Sequence, residues 1–193
     1  MGRNKEFDYD QKLDVAMNLF WAQGYHSTSI SDLENHMGIN RSSIYPTYGD
    51  KKDLLIKCLD KYLKRKVIEY KDILNGSESN ALENLKKILI LAIDESISEG
   101  RTCLAVKIAF EISQTDADII RLLSKNEKMI EEIYFQIIKN GQDKGIIKNN
   151  LNTEVTAAFF SSSSSTLLKK YVLNKNRKEV YDMIETLIQM IKA

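Results

Sequence analysis

Apolar residues recur at helical spacing along almost the whole chain, and residues that break helices are few and far apart. There is one proline, Pro46, and there are eight glycines in 193 residues. A sandwich or barrel of short strands needs far more turn residues than that, and no stretch alternates apolar and polar positions as a half-buried strand does. Leu13, Ala16, Met17 and Phe20 follow the i, i+3, i+4, i+7 rule, with Asp8 or Asp10 as N-cap and Gly24 as the stop. Ile30, Leu33 and Met37 repeat the pattern on a helix capped by Ser29, with Asp32 three residues on, and closed by Gly38. Asn40 caps a very short third helix bearing Ile44 and Tyr45, whose end Pro46 should set. Asp50, with Asp53 at its N3 position, caps a fourth carrying Leu55, Cys58, Leu59 and Tyr62 on one face.

Longer helices are expected over 80–99, 103–113, 117–144, 153–173 and 177–192, with Gly145 placed as a C′ glycine after the third of these. The chain therefore reads as all-α, with about nine helices. Residues 1–50 form a small front domain, and residues 51–193 a larger helical one with helix four as connector. Hydrophobic residues at 43% and charged residues at 28% describe an ordinary globular protein. The first residues, Met-Gly-Arg-Asn-Lys-Glu, have no apolar core of a signal peptide. The most apolar stretch, 155–168, is too short and too rich in hydroxyls to span a bilayer. No membrane association is expected, and the cytoplasm is the default location.

Cys58 and Cys103 are too few for a disulfide framework and share no metal spacing with His26 or His36. No glycine-rich phosphate loop, metal cluster or Ser/His/Asp arrangement stands out, so neither a cofactor, a metal nor an enzymatic activity is expected. An oxidation sensor at Cys58 or Cys103 is one reading, but no basic residue is convincingly placed to lower either thiol's pKa, so buried packing thiols are the better one. The histidines read as surface or packing residues, and Trp21 as core.

The front end has the dimensions of a helix-turn-helix. Arg41, Ser42 and Ser43 occupy the first turn of its second helix, where side chains meet base edges. Arginine can donate two hydrogen bonds to guanine O6 and N7, and serine can donate or accept on any base. Thr28, Tyr45, Thr47, Tyr48 and Lys51 supply hydroxyl or ammonium donors suited to phosphate oxygens. Taken singly, each has an ordinary structural reading: Thr28 or Ser29 as a helix cap, Tyr45 as partly core, Lys51 as surface charge.

The run Gly24-Tyr25-His26-Ser27-Thr28-Ser29-Ile30, then Met37-Gly38-Ile39-Asn40-Arg41-Ser42-Ser43-Ile44-Tyr45, then Tyr48-Gly49-Asp50-Lys51-Lys52-Asp53-Leu54, resembles the TetR/AcrR family of bacterial transcriptional regulators. The resemblance is close over about residues 10–60 and beyond that rests on helix number, length and order. It implies a three-helix DNA-binding domain followed by a ligand-binding and dimerisation domain. By position it implies Arg41, Ser42 and Ser43 as base readers, and Thr28, Tyr45, Thr47, Tyr48 and Lys51 as phosphate contacts. Arg3 and Lys5 would form a basic N-terminal arm. The partners implied are a palindromic double-stranded DNA operator, a small-molecule inducer of unstated identity, and a second copy of the chain. Such proteins usually repress a promoter and release it on binding the inducer. A helical adaptor that kept the fold without an operator is the alternative.

In the family the last two long helices pair with their two-fold mates. Ile184, Leu187, Ile188 and Ile191 offer an apolar stripe on the last, and the serine run 161–165 on the preceding helix permits close approach. Cys103, Phe110, Glu111, Tyr134, Phe135 and Phe159 lie on helices that could surround the inducer cavity, although such apolar and aromatic stripes are more often core, and Glu111, interrupting an apolar helix, reads better as solvent-facing. Formal net charge is only +1, but it is unevenly placed. Residues 36–66 hold 8 basic and 3 acidic side chains, whereas residues 1–35 hold 3 and 6. The positive excess falls on the recognition helix and helix four, where a DNA-binding face would want it.

Overall fold

The computed structural model describes residues 7–76, 80–112 and 116–193. Arg3 and Lys5 therefore lie outside the described residues. Nine α-helices follow one another among those described: α1 Tyr9–Gln23, α2 Ile30–Met37, α3 Arg41–Tyr48, α4 Lys51–Asn75, α5 Ala81–Glu99, α6 Leu104–Ile112, α7 Ala117–Asp143, α8 Thr153–Asn174 and α9 Arg177–Ile191. The expected caps form. Asp8 accepts from the Gln11 N–H, Asn40 from Ser43, Asn80 from Glu83, and Ser29 and Asp32 exchange both bonds of a capping box. Asp50 and Asp53 do the same ahead of α4. Gly38, at φ 63°, takes the left-handed conformation that closes α2 and turns the chain into α3.

Pro46 does not end α3. The helix continues to Tyr48, and the Gly49 N–H donates to the Tyr45 carbonyl at 3.0 Å. Proline removes the N–H that would have bonded the Ser42 carbonyl, but Ser42 is exposed and water can serve that oxygen.

The chain divides into two compact units. The first comprises residues 1–64 with 104–123; the second comprises 65–103 with 124–193. The division falls inside α4, later than the boundary at residue 50 read from the sequence, and it assigns α6 and the start of α7 to the first unit. In the first unit Phe20, Leu33, Met37, Ile44, Tyr48 and Leu55 are buried, and Trp21 meets Tyr62 edge-on at 5.2 Å between ring centroids. Each such side chain contributes roughly 1.5–3 kcal/mol of burial. Cys58 is buried among them, and burial pushes its thiol well above the ordinary range, which makes it a packing residue.

The second unit has its own core, centred on Leu85, Ile88, Tyr134, Ile138, Phe160 and Ile184. The serine run is helical within α8, where Ser163 returns its hydroxyl to the Phe159 carbonyl at 2.7 Å. No described helix is long and apolar enough to cross a membrane.

Candidate nucleic-acid interface

The α1–α2 turn, Gly24 to Thr28, is fixed from three directions. Gly24 stands at φ 91°, and its N–H closes α1 on the Phe20 carbonyl at 2.8 Å. Lys51, at the start of α4, donates to the carbonyls of Tyr25 (3.0 Å) and Thr28 (2.9 Å) and lies over the Tyr25 ring. From α6, Glu111 accepts from the N–H groups of Tyr25 (3.0 Å) and His26 (2.6 Å). One helical turn earlier, Lys107 donates to the carbonyls of Trp21 (2.7 Å) and Ala22 (3.0 Å). A cation thus meets the electronegative end of α1, and an anion meets the amides that follow it.

This geometry reassigns three of the expected phosphate contacts. Thr28 is fully buried, with its hydroxyl donating to the Gly24 carbonyl at 2.6 Å. Tyr48 is also fully buried; its hydroxyl donates to the Tyr9 carbonyl at 2.9 Å, and burial pushes its phenol up to about 12. Lys51 is turned inward onto carbonyls. All three hold the motif together: Thr28 and Tyr48 give their hydroxyls to carbonyls, and Lys51 gives two of its three ammonium donors. Burial of this kind depends on tertiary packing that residue type alone does not reveal.

What remains outward is the N-terminal half of α3 and its flank. Arg41 and Ser42 are exposed, Ser43 and Thr47 half-buried, and Tyr45 is 47% exposed. Asn40 organises the serines: its side-chain oxygen accepts from the Ser42 hydroxyl (2.7 Å), the Ser43 hydroxyl (3.0 Å) and the Ser43 N–H (3.1 Å). Arg41 is held by α2. Glu34 accepts its backbone N–H and its Nε, each at 2.7 Å, and Ser31 accepts from Nη2 at 2.7 Å. The Arg41 hydrogen bond keeps the Glu34 carboxyl below the usual range, and the guanidinium is correspondingly harder to deprotonate. Glu34 was not singled out by sequence reasoning, because its partner lies across the Gly38 turn.

The positive excess of residues 36–66 is spent within the fold. Lys52 pairs with Asp116 and Asp118, Lys61 with Asp10 and Asp14, and Lys64 with Asp60. Arg65 and Lys66 both meet Glu69 and Glu95. Lys57 donates to the Tyr48 carbonyl. With Lys51 on its carbonyls and Arg41 on Glu34, all eight cations counted from the sequence are engaged.

The six residues expected around an inducer cavity are divided between the two units. Phe110 is 88% exposed, and Glu111 belongs to the clasp on the α1–α2 turn; both sit in the first unit. Tyr134 is a fully buried core residue of the second unit, and its hydroxyl lacks a well-formed hydrogen bond, with the Ser164 side chain nearby. Cys103 and Phe135 pack partly buried against that core. Phe159 is 55% exposed and lines a groove of about 370 Å³ between α8 and α9, with Met183 and Leu187 on the facing wall. Ile184, Ile188 and Ile191, read as the dimer stripe, are already buried inside the protomer, so only Leu187 of that set reaches the groove. No group of three or more His, Cys, Asp or Glu suited to a metal occurs among the described residues.

Residues 13–58 match the family described as bacterial regulatory proteins, tetR family. The chain is 31% identical over 159 residues to the HTH-type transcriptional regulator YezE of Bacillus subtilis (strain 168), covering 81% of each protein. It is 28% identical to the HTH-type transcriptional repressor ComR of Escherichia coli (strain K12), covering 83% of this chain and 77% of ComR. Its fold matches that of the regulator CifR, solved as a cysteine mutant with a 26-bp operator duplex, at a TM-score of 0.83 and 23% identity over 98% of this chain and 100% of that one. The family match ends at residue 58, but the identity to YezE extends over 81% of the chain. On both grounds the chain belongs to the TetR family of bacterial DNA-binding transcriptional regulators.

Proposed function

We propose that this protein is a ligand-released repressor that binds a two-fold operator as a homodimer. The observation that carries the reading is the outward face of α3, where Arg41, Ser42 and Ser43 stand at the Asn40-capped start of the helix, with Arg41 held by Glu34 and Ser31 of α2. A recognition helix presents its first turn to base edges, so these three are the base readers. Tyr45 and Thr47 serve as phosphate contacts, since Thr28 and Tyr48 are buried and Lys51 gives two of its three donors to carbonyls.

Homodimerisation through α8 and α9 is supported by the groove between them and by exposed Val155, Phe159 and Met190 on the same two helices. Two copies would set their recognition helices about 34–36 Å apart, which predicts half-sites one helical turn apart in the operator. Selection of binding sites from random duplex DNA, followed by footprinting, tests the whole proposal. A palindrome with protected half-sites of that spacing is expected, and release from it by a member of a small-molecule library identifies the effector. A chain that selects no sequence, and is not shifted by DNA from upstream of its own gene, would be a helical adaptor instead.

A further inference from the structure

Arg41 makes three contacts, one through its backbone N–H and two through its guanidinium, on Nε and Nη2. Nε and Nη2 face α2, where Glu34 and Ser31, three residues apart, share a face. Nη1 has no hydrogen-bond partner among the described residues, and Nη2 keeps its second N–H. The far end of the fork is therefore an unoccupied pair of parallel donors on a side chain that is 54% exposed. That pair is the one that matches guanine O6 and N7. Glu34 takes Nε and Ser31 takes one hydrogen of Nη2, which leaves a donor on each of Nη1 and Nη2, so the clasp and the base contact are compatible.

Two consequences follow from fixing the side chain in advance. A free arginine loses about 2 kcal/mol of rotamer freedom when ordered, and one already held loses less on reaching its base. On random DNA the effect is opposite. A swinging arginine can find any phosphate, whereas one held by a carboxylate carries a local anion that offsets its attraction to the backbone. The clasp thus favours the specific complex and disfavours the non-specific one.

We infer that Glu34, assisted by Ser31, is the specificity-determining positioning residue of the recognition helix: it aims Arg41 at a guanine of the operator and withholds it from phosphates. The inference rests on the reading of Arg41 as a base reader, and it commits the operator to a G·C pair at the position facing Arg41.

The test uses the full chain, the selected operator and a random duplex of equal length, with affinities read by fluorescence anisotropy at several salt concentrations. Arg41→Ala should lower the operator-to-random affinity ratio about 10- to 100-fold. Glu34→Gln keeps the shape and one acceptor oxygen but loses the charge and the second acceptor. It should lower the ratio at least about fivefold, in part by strengthening random binding, and steepen the random-duplex salt slope by about one phosphate contact per protomer. The double variant should match Arg41→Ala alone, because the two residues act as one. Ser31→Ala, which leaves the backbone contact of Glu34 intact, should shift the ratio in the same direction by a smaller factor, and it carries the test if Glu34→Gln misfolds.

If Arg41→Ala leaves the ratio unchanged, the reading of Arg41 itself fails. If Arg41→Ala collapses the ratio while Glu34→Gln and Ser31→Ala move it less than twofold, Glu34 does not position the reader. A Glu34→Gln variant that binds the operator more selectively would make Glu34 a competitor of the base and overturn the inference.

Discussion

Replacing Glu111 with alanine removes both acceptors from the α1–α2 turn at once. The amides of Tyr25 and His26, at 3.0 and 2.6 Å, would lose a charged partner. Hydrogen bonds to charged groups contribute roughly 1.5–3 kcal/mol each. The His26 amide lies at the surface, where water replaces most of what is lost, so its bond counts for only about 0.5 kcal/mol and the Tyr25 bond for about 1.5. The turn should then open about 2 kcal/mol more easily, which is about 30-fold. Amide hydrogen exchange read by NMR is the direct assay, because both donors are individually observable. Protection at Tyr25 and His26 should fall by that factor in Glu111→Ala and by less in Glu111→Gln, which keeps one acceptor. Amides of the second unit should be unaffected. Exchange at both residues unchanged within about threefold would refute the clasp as an energetic element and leave α6 as a passive neighbour of α1.

Gly141→Ala should destabilise the second unit by about 1–3 kcal/mol, because an added Cβ would lie 2.5 Å from Ile147 Cδ1 and 2.8 Å from Ala81 Cβ in a packed core; a thermal melt reads it. Lys51→Met keeps the apolar stem but removes the ammonium from the Tyr25 ring and frees two carbonyls, so it should lower the melting temperature by several degrees while leaving the salt slope of operator binding unchanged. Asp32, Glu34 and Asp116 all titrate below their ordinary values, Asp32 through its Ser29 hydrogen bond, Glu34 through Arg41 and Asp116 through Lys52. Their contribution to stability is complete above the unfolded carboxylate range and is lost as pH falls through the depressed folded values. Acid melts should therefore weaken the first unit below about pH 4, and Asp32→Asn should flatten that dependence.

Helix boundaries were legible in the sequence because capping is local. Ser29 with Asp32, Asn40, and Gly38 each sit within a few residues of the groups they serve. Residue roles at the interface were legible only where exposure followed from periodicity. Arg41 and Ser42 lie outward as expected, but Thr28 and Tyr48 carry the same hydroxyls as true surface donors and are buried by contacts with distant segments. Glu111 shows the same limit from the other side. A lone carboxylate in an apolar helix reads as solvent-facing, yet it lies one turn beyond Lys107 on the same face, and the two together match the end of α1. That i, i+4 pair of opposite charges was the available signal. The stripe on α9 divides: Ile184, Ile188 and Ile191 pack on the protomer's own core and Leu187 reaches the groove, because a helix packed on its own core shows the same period as a dimer face.

The engaged cations change what should be expected of DNA binding itself. Counterion release scales with the number of phosphates neutralised, with a slope of about −0.9 per contact. Eight basic residues per protomer in two copies would give a steep salt dependence if each met a phosphate. The fold instead commits Lys51 and Lys57 to carbonyls, and Lys52, Lys61 and Lys64 to carboxylates, while Arg41 is matched by Glu34. The outward donors that remain on α3 are mostly neutral hydroxyls, which hold a phosphate without displacing an ion. If Arg3 and Lys5 of each copy reach the backbone, about four contacts result, and the slope for the dimer should be no steeper than about −4. Operator affinity measured between 50 and 200 mM salt tests this, and removal of residues 1–6 should flatten the slope towards zero. A slope near −8 that survives the truncation would mean that helix-four lysines leave their internal partners on binding, so that DNA binding rearranges the first unit rather than docking onto it as it stands.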